Sequence, residues 1–537
     1  IINILKTSYI GGNMRKFIIT SIIFIITLLS ACGTKENPIE ILKPTEIEQK
    51  TSGSYEIETI DFNIGERNIA DINYSLKGII SIPKEAKQKK LKVAIIVPGY
   101  YKDIKSQDKG FRYITEYIAK NGYLGIAIDT DPAYYLKHTV DKEYENIPKI
   151  VDEHIKMLKE SNEGNNVYDI DLKNKIDFKH IALISNSISK EAIFKLTKEQ
   201  SEKGVNILTL LLVNPTNNKY NDFNIDNVKN ISILVSELDG EVVGLDGFSI
   251  YNMLKEYKNQ NILSLTLLKN ANHNYFNSKT KSNDAQNLDI DLSKQISRLE
   301  QEKFLKKFTI TYLKACFRNK YDNTIYDTKV PTVTKIDSLD VINYLQTSKN
   351  EKLKDIRKIN EFKGKNIKFS IVKKSSTIYK DELPEINLPK PDKNILELLN
   401  IKWEYKGGKL SFKPDISDFS EFNNITINTM ICPANESNVK GRAQSICIEL
   451  VDNKGKSEKV EISKESNLIN YPKGKLENLD FENGKEIKFW NQVTPISNIR
   501  IPMVLYNDID LKNIKKCNII FDRTNSGDLL FESIMVD

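Results

Sequence analysis

The stretch Ile176-Asp177-Phe178-Lys179-His180-Ile181-Ala182-Leu183-Ile184-Ser185-Asn186-Ser187-Ile188-Ser189-Lys190-Glu191-Ala192 decides how this chain is read. Its apolar run, Ile181 to Ile184, predicts a strand. The small polar residues after it predict a sharp turn, and Lys190 to Leu196 begins a helix. Strand, turn and helix in that order form the setting in which a strained backbone lifts a serine hydroxyl clear of a sheet. Ser187 stands at the centre of the turn. Glycines two before and two after such a serine let strand and helix approach closely; here those positions are Ser185 and Ser189. From these residues alone, a serine-rich turn without chemistry is an equally good reading.

Working outward, apolar β-prone runs alternate with helical patterns from about 55 to 320. Leu76 to Ile82, Val93 to Val97, Leu124 to Asp129, Ile207 to Val213, Ile231 to Val235 and Ile262 to Leu268 read as strands. Phe111 to Asn121, Ile147 to Leu158, Ile250 to Tyr257 and Leu299 to Phe317 have helical spacing. Short continuous apolar strands separated by helices predict an α/β region with a parallel sheet covered on both faces. From about 365 the helical period fades. Short β-prone segments such as Thr426 to Ile431, Ile446 to Val451, Ile499 to Tyr506 and Leu529 to Val536 are divided by Gly, Asn and Lys turns. That texture predicts an antiparallel sandwich. The expected division is 55–320 for the α/β domain, 321–364 for a lysine-rich connection and 365–537 for the β-sandwich.

Arg15 and Lys16 precede a nearly all-apolar run that ends in Leu29-Ser30-Ala31-Cys32. The run is roughly 15 residues, short of the ~20 a spanning helix needs. A basic start, a short apolar segment and small residues before a cut describe a secretory signal over 14–31. The Cys32 context resembles the lipobox of bacterial lipoproteins. That resemblance implies cleavage before Cys32 and a lipid on its sulfur, holding the protein to the extracytoplasmic face of a cell membrane or outer membrane. Residues 1–13 read as upstream sequence carried into the frame, and 32–54 as the lipidated cysteine and a polar tether. The net charge of +7 comes from scattered lysines with acids between them, not from a basic block with aromatics, so a nucleic-acid partner is not expected. Besides Cys32, the cysteines Cys316, Cys432, Cys447 and Cys517 are too sparse for a disulfide framework. Without Cys-x-x-Cys or His-Glu-x-x-His, no metal site is expected.

The chain has four histidines, so few residues compete to be a catalytic base. His273 follows the strand Ile262 to Leu268 in a polar loop, and an imidazole near neutral pH can take and return a proton. His138, His154 and His180 fit a loop, a helix and a strand entry. Asp239 follows the strand Ile231 to Val235 and is placed to orient an imidazole. Asp-Gly is also an ordinary turn, and Asp246 is a nearby rival. Backbone N–H groups for a developing oxyanion are expected at Ile188 and, after Val97-Pro98-Gly99, at Tyr100 or Tyr101. Each of these positions lies at the C-terminal end of an expected strand, where open α/β sheets place their sites.

Three blocks carry a resemblance: Ser185-Asn186-Ser187-Ile188-Ser189-Lys190-Glu191, Asp239-Gly240-Glu241-Val242, and Asn270-Ala271-Asn272-His273-Asn274-Tyr275-Phe276-Asn277. Together they resemble the α/β-hydrolase family, in particular large secreted bacterial hydrolases related to lipases, cutinases and polyester hydrolases. Those carry Gly-His-Ser-x-Gly-Gly-Glu, Asp-Gly-Asp-Val and Gly-Ala-Asn-His-Asn-Phe-Phe-Asn. The resemblance implies an α/β-hydrolase fold with a doubly wound, mostly parallel sheet. It implies Ser187 as nucleophile, Asp239 as acid, His273 as base, an ester substrate and no cofactor. The departures fall at the serine turn, where both glycines and the usual histidine are replaced. The closing segments, Ile499 to Tyr506, Asp508 to Leu511, Ile519 to Asp522 and Asp528 to Ile534, resemble jelly-roll modules, many of which bind carbohydrate. Trp403 and Trp490 are candidate stacking residues there, although in a sandwich such tryptophans are more often core.

The expected function is therefore a membrane-anchored serine hydrolase that cleaves carboxylic esters through an acyl-enzyme. Two alternatives stand beside it: a catalytically degenerate fold serving as a surface-binding lipoprotein, and a peptidase on the same scaffold.

Overall fold

The computed structural model describes residues 39–537 apart from 70–71, 86–89, 102–103, 136–139, 218–224, 226, 258, 360, 365, 375–385, 389–395 and 481–485. The expected signal segment, Cys32 and His138 lie outside the described residues. Among the described residues, no helix is long and apolar enough to cross a membrane.

The first strands are β1 (Glu40–Ile41), β2 (Thr45–Ile47), β3 (Ile57–Ile69), β4 (Ile72–Pro83), β5 (Leu91–Val97), β6 (Leu124–Ile128), β7 (Ile176–Asn186), β8 (Ile207–Val213), β9 (Asn230–Ser236), β10 (Ile262–Leu268), β11 (Val333–Ile336) and β12 (Leu339–Gln346). All but β1 lie in an 11-stranded sheet, in the order β2-β11-β12-β10-β9-β8-β7-β5-β6-β4-β3. From β10 to β6 each neighbouring pair is parallel. Successive residues of these strands alternate between two cores. Val93, Ile95, Leu210, Leu212 and Ile233 join one, under helices Val140–Glu163, Lys190–Glu202 and Gly247–Leu254. Ala94, Ile96, Leu211, Val213 and Leu234 join the other, under helices Arg112–Lys120 and Arg298–Arg318. Strands buried on both faces must be apolar throughout, which is why these runs stood out in the sequence.

The fold class expected from the resemblance, an α/β-hydrolase with a doubly wound, mostly parallel sheet, is overturned. The described residues are largely β, with helix the minority, and the 11-stranded sheet is mixed. The pairs β10/β12, β12/β11, β6/β4 and β4/β3 run antiparallel. The reason lies in the connections. Between β11 and β12 only Asp337 and Ser338 intervene, both with positive φ (49° and 68°). A two-residue turn of that kind can join only antiparallel neighbours.

The remaining strands are β13 (Glu351–Lys352), β14 (Glu361–Lys363), β15 (Ile367–Lys374), β16 (Leu396–Trp403), β17 (Gly408–Phe412), β18 (Asn424–Ile431), β19 (Ile446–Asp452), β20 (Ser457–Ile462), β21 (Leu476–Asp480), β22 (Glu486–Trp490), β23 (Ser497–Pro502), β24 (Ile514–Phe521) and β25 (Gly527–Val536). One sheet runs β20-β19-β24-β17-β14 and faces another, β15-β16-β25-β18-β23, across a shared core that includes Ile448, Ile519, Ile401, Ile427 and Phe531. Residues 321–364 contribute strands to both the large sheet and this sandwich. Trp403 is fully buried and donates from Nε1 to Thr524 O at 3.2 Å; Trp490 is buried and donates to Lys473 O at 2.7 Å. Both tryptophans are core. Cys316, Cys432, Cys447 and Cys517 are free thiols.

Residues 41–537 pack as one unit. Arg500 of β23 fastens the sandwich to the segment between helix Arg298–Arg318 and β11. Its Nη2 donates to Asp327 O (3.0 Å) and Thr328 O (2.8 Å), and its backbone N–H donates to Thr332 Oγ1 at 2.7 Å. The guanidinium meets the buried Asp537 carboxylate at 3.7 Å, a charge contact without a hydrogen bond at Nε. Burial pushes the Asp537 carboxyl above its usual range and Arg500 opposes that push. Arg500→Met is expected to leave this carboxylate uncompensated and to cost roughly 3 kcal/mol or more. Chemical denaturation checks this, and unchanged stability would show that the pair does not brace the two layers.

Candidate functional site

The parallel strands deliver four loops of the site to one edge of the sheet, after β5, β7, β9 and β10. β7 ends at Asn186, and Ser187 opens a single 3-10 turn, Ser187–Ser189, that leads directly into helix Lys190–Glu202. Ser187 has φ 56°, in the left-handed region that non-glycine residues seldom occupy. A side chain held there stands off the strand-to-helix corner, and the conformation persists only if its surroundings impose it. Asn186 and Ser189 supply that constraint reciprocally. Each side chain bonds the other residue's backbone N–H, with Asn186 N donating to Ser189 Oγ at 3.1 Å. Ser189 Oγ also donates to Val97 O at 2.9 Å, tying the corner to β5.

The loop after β5 lies directly against this corner. A Cβ on Gly99 would sit 2.5 Å from Asn186 O and 2.7 Å from Ser187 Cβ, so only glycine fits. Tyr100 and Tyr101 follow. The Tyr101 hydroxyl donates to Asn186 Oδ1 at 2.6 Å, and its ring lies edge-on to His273 with centroids 5.9 Å apart. The structure thus brings Ile188, Tyr100 and Tyr101 around Ser187. It also gives the Tyr101 side chain a bridging place between the serine corner and the imidazole, which the sequence did not signal.

The other two loops meet each other. His273 Nδ1 lies 2.9 Å from Asp239 Oδ2, and both side chains are 2% exposed. Asp239 Oδ1 accepts from the N–H groups of Glu241 (3.0 Å) and Val242 (2.6 Å), which fixes the carboxylate's orientation. Burial disfavours the imidazolium, but the charge and hydrogen bond of Asp239, together with Asp284 and Glu241, outweigh it and hold the His273 pKa above its ordinary value. Asp246 is engaged elsewhere, accepting from Asn217 N at 2.8 Å. His154 is buried against the Tyr74 hydroxyl at 3.0 Å, and burial lowers its pKa to about 3. His180 pairs with Asp177 at 2.8 Å.

Among the described residues, no hydrogen bond joins Ser187 Oγ to His273. The acid–imidazole half of the constellation is closed and the serine–imidazole half is open. Ser187 is 7% exposed. A cavity of about 610 Å³ between the large sheet and the sandwich is lined by Leu238 and Asp239 but not by Ser187 or His273. Two buried groups near these loops were missed in the sequence. Lys190, fully buried one turn after Ser187, places Nζ 3.4 Å from Asn217 Oδ1. Asp284 accepts from the backbone of both the acid and the histidine loops. An isolated lysine or aspartate carries no local signal of this kind.

No known family's sequence profile matches the chain, and no curated protein is similar to it.

The two serines that flank Ser187 at two residues' distance differ physically. Ser189 Oγ accepts from Asn186 N and has Val97 O and Asn186 O (3.0 Å) as alternative acceptors for its single proton, whereas Ser185 Oγ is buried without a partner. Ser189→Ala is expected to destabilise by about 1–2 kcal/mol and Ser185→Ala by less than about 0.5 kcal/mol, or to stabilise. Paired denaturation curves check this, and equal effects would refute the asymmetry.

Proposed function

We propose that this protein is a serine hydrolase that cleaves carboxylic esters through an acyl-enzyme. The observation that carries the reading is the buried 2.9 Å pair of His273 Nδ1 and Asp239 Oδ2, set beside a serine held at φ 56°. Asp239 accepts a hydrogen bond from Nδ1–H and so leaves Nε2 as the basic nitrogen. Ser187 Oγ attacks the ester carbonyl as His273 Nε2 takes its proton. The N–H groups of Ile188 and of Tyr100 or Tyr101 stabilise the oxyanion. His273 returns the proton to the departing alcohol, and water repeats the cycle to release the acid. No metal or cofactor enters these steps. Rotation of Ser187 toward His273 on substrate binding closes the open half, and such bonds are commonly loose without substrate. On the lipobox resemblance around Cys32, we place the enzyme on the extracytoplasmic face of a membrane.

The second reading, a degenerate site on a surface-binding protein, is favoured by that missing serine–imidazole hydrogen bond. Fluorophosphonate labelling with the adduct located by mass spectrometry separates the two. An adduct on Ser187, lost in both Ser187→Ala and His273→Ala, is expected. No adduct on folded protein would overturn the hydrolase reading.

The pH dependence has a definite sign. His273 acts as a base only when neutral, and its pKa is held above 6.5, so kcat/KM is expected to rise with pH through a midpoint above 6.5. Asp239→Asn removes the charge that raises that pKa. It is expected to move the midpoint downward and to lower kcat by roughly three to four orders of magnitude. A pH–rate profile of both proteins checks this, and an unmoved midpoint would detach Asp239 from the base.

A further inference from the structure

We infer that Asp284 is the positioning residue that locks the acid loop to the histidine loop and adds its negative charge to that of Asp239 around His273. This rests on the reading of Asp239 and His273 as the working pair. Asp284 opens the 3-10 turn Asp284–Asn287 and is 2% exposed. One carboxylate oxygen, Oδ2, accepts from Gly240 N at 2.8 Å and from His273 N at 3.0 Å. The other, Oδ1, accepts from Asn274 N at 2.9 Å. A single side chain therefore holds the backbone immediately after Asp239 and the backbone of His273 itself. The acid loop and the turn that carries Asp284 touch backbone to backbone: a Cβ on Gly240 would fall 1.9 Å from Asp284 O. The glycine of Asp239-Gly240 is thus required by this close approach.

The chemistry of the clamp calls for a carboxylate. Three N–H donors converge on one side chain, and an ionised carboxylate offers about four lone-pair sites with no competing donor. An amide offers one oxygen and would turn its NH2 against a backbone N–H. Hydrogen bonds to a charged acceptor are about twice as strong as neutral ones. The segment that carries Asp284 is itself anchored to the histidine loop. Asn272 Nδ2 donates to Asn283 Oδ1 at 2.8 Å, and Gln295 Nε2 donates to the same oxygen at 3.0 Å. Gln301 closes the other side, donating to Asn272 O at 2.6 Å and accepting from Asn272 N at 3.1 Å. The charged groups acting on His273 are Asp239, Asp284 and Glu241, and the Tyr101 ring covers its edge. Asp284 is the one of these whose carboxylate bonds the His273 backbone.

Two variants and two readouts test this. Asp284→Asn keeps the shape and loses the charge and one acceptor oxygen; Asp284→Glu keeps the charge and displaces it. His273 is titrated by NMR, a measurement independent of activity, and ester hydrolysis is followed in parallel. In Asp284→Asn the His273 pKa is expected to fall and kcat to drop roughly 100-fold, with KM within about twofold, as for a misplaced catalytic group. Asp284→Glu is expected to keep the raised pKa and lose kcat. A residue that merely supports the loops would lower stability without moving the His273 pKa. An Asp284→Asn protein whose His273 titrates as in the wild type overturns the inference. If Asp284→Asn fails to fold, hydrogen exchange on the wild-type chain decides. The amides of Gly240, His273 and Asn274 are expected to open together, and independent opening overturns the clamp. Absence of any fluorophosphonate adduct on wild type would defeat the hydrolase reading alone, because the titration stands without it.

Discussion

An ionised carboxylate and an imidazole facing each other in a dry interior are stable only if both are held and hydrogen-bonded on their remaining sides. That constraint organises the site. Asp239 reaches His273 at 2.9 Å because β9 and β10 run parallel, in register from Asn230↔Ile262 to Ser236↔Leu268, and release their loops at the same edge. The loops are then cross-tied. Leu238 N donates to Ala271 O at 2.7 Å and Glu237 N to Leu268 O at 3.0 Å. Ser236 Oγ donates to Asn272 O at 2.9 Å. Nearly every polar group around the pair has its bond within the protein, as buried polar groups must. Isolated burial would push His273 toward neutrality, as it does for His154. What separates the two histidines is the charge beside one and the neutral phenol beside the other.

The strands that proved legible in the sequence are those buried on both faces. Val93 to Val97, Ile207 to Val213 and Ile262 to Leu268 have no polar period to confuse with a helix, and the structure places β5, β8 and β10 on them. The strands that decide the sheet's mixed character were not legible. β11 and β12, read as part of a lysine-rich connection, are partly exposed, so Lys335 and Asp340 interrupt their apolar residues, and the buried Asn343, which donates to Thr266 Oγ1, interrupts them again. Their antiparallel sense depends on Asp337 and Ser338 adopting positive φ, which neither residue type announces. Reading the centre and missing the edges led to a sheet judged more uniform than it is.

The site shows the same division. Ser187, Asp239 and His273 were nominated because each follows an apolar strand, a positional signal that survives without knowledge of packing. The structure unites the last two by a hydrogen bond and leaves the serine beside them unbonded. Tyr101 was nominated for its backbone, but its contribution is a side chain whose reach to Asn186 and His273 is fixed by Gly99 approaching the serine corner. Asp284 had no signal, since an aspartate in a polar loop is common and its value comes from three amides that converge only after folding. Ser185 and Ser189 looked equivalent in sequence. The positions of Val97 O and of the Asn186 backbone relative to the corner make one structural and leave the other an unsatisfied hydroxyl.

The sandwich also touches these loops, and magnitudes decide what that contact is worth. Lys473 Nζ reaches Glu237 Oε2 at 2.9 Å and Asn270 Oδ1 at 2.8 Å. The lysine side chain is half exposed, and pairs of that kind contribute at most about 1 kcal/mol. The stronger tie is internal: Asn270, at φ 61°, donates its own N–H to Glu237 Oε2 at 2.9 Å, a bond in which Lys473 takes no part. The acid and histidine loops therefore carry their own alignment, through Glu237 at their base and Asp284 at their tips. Lys473, whose backbone carbonyl is fixed by the buried Trp490, adds a preferred direction rather than the hold itself. A site braced by its own carboxylates can tolerate sequence drift in the accessory layer, because losing a half-exposed lysine costs it far less than losing either internal anchor.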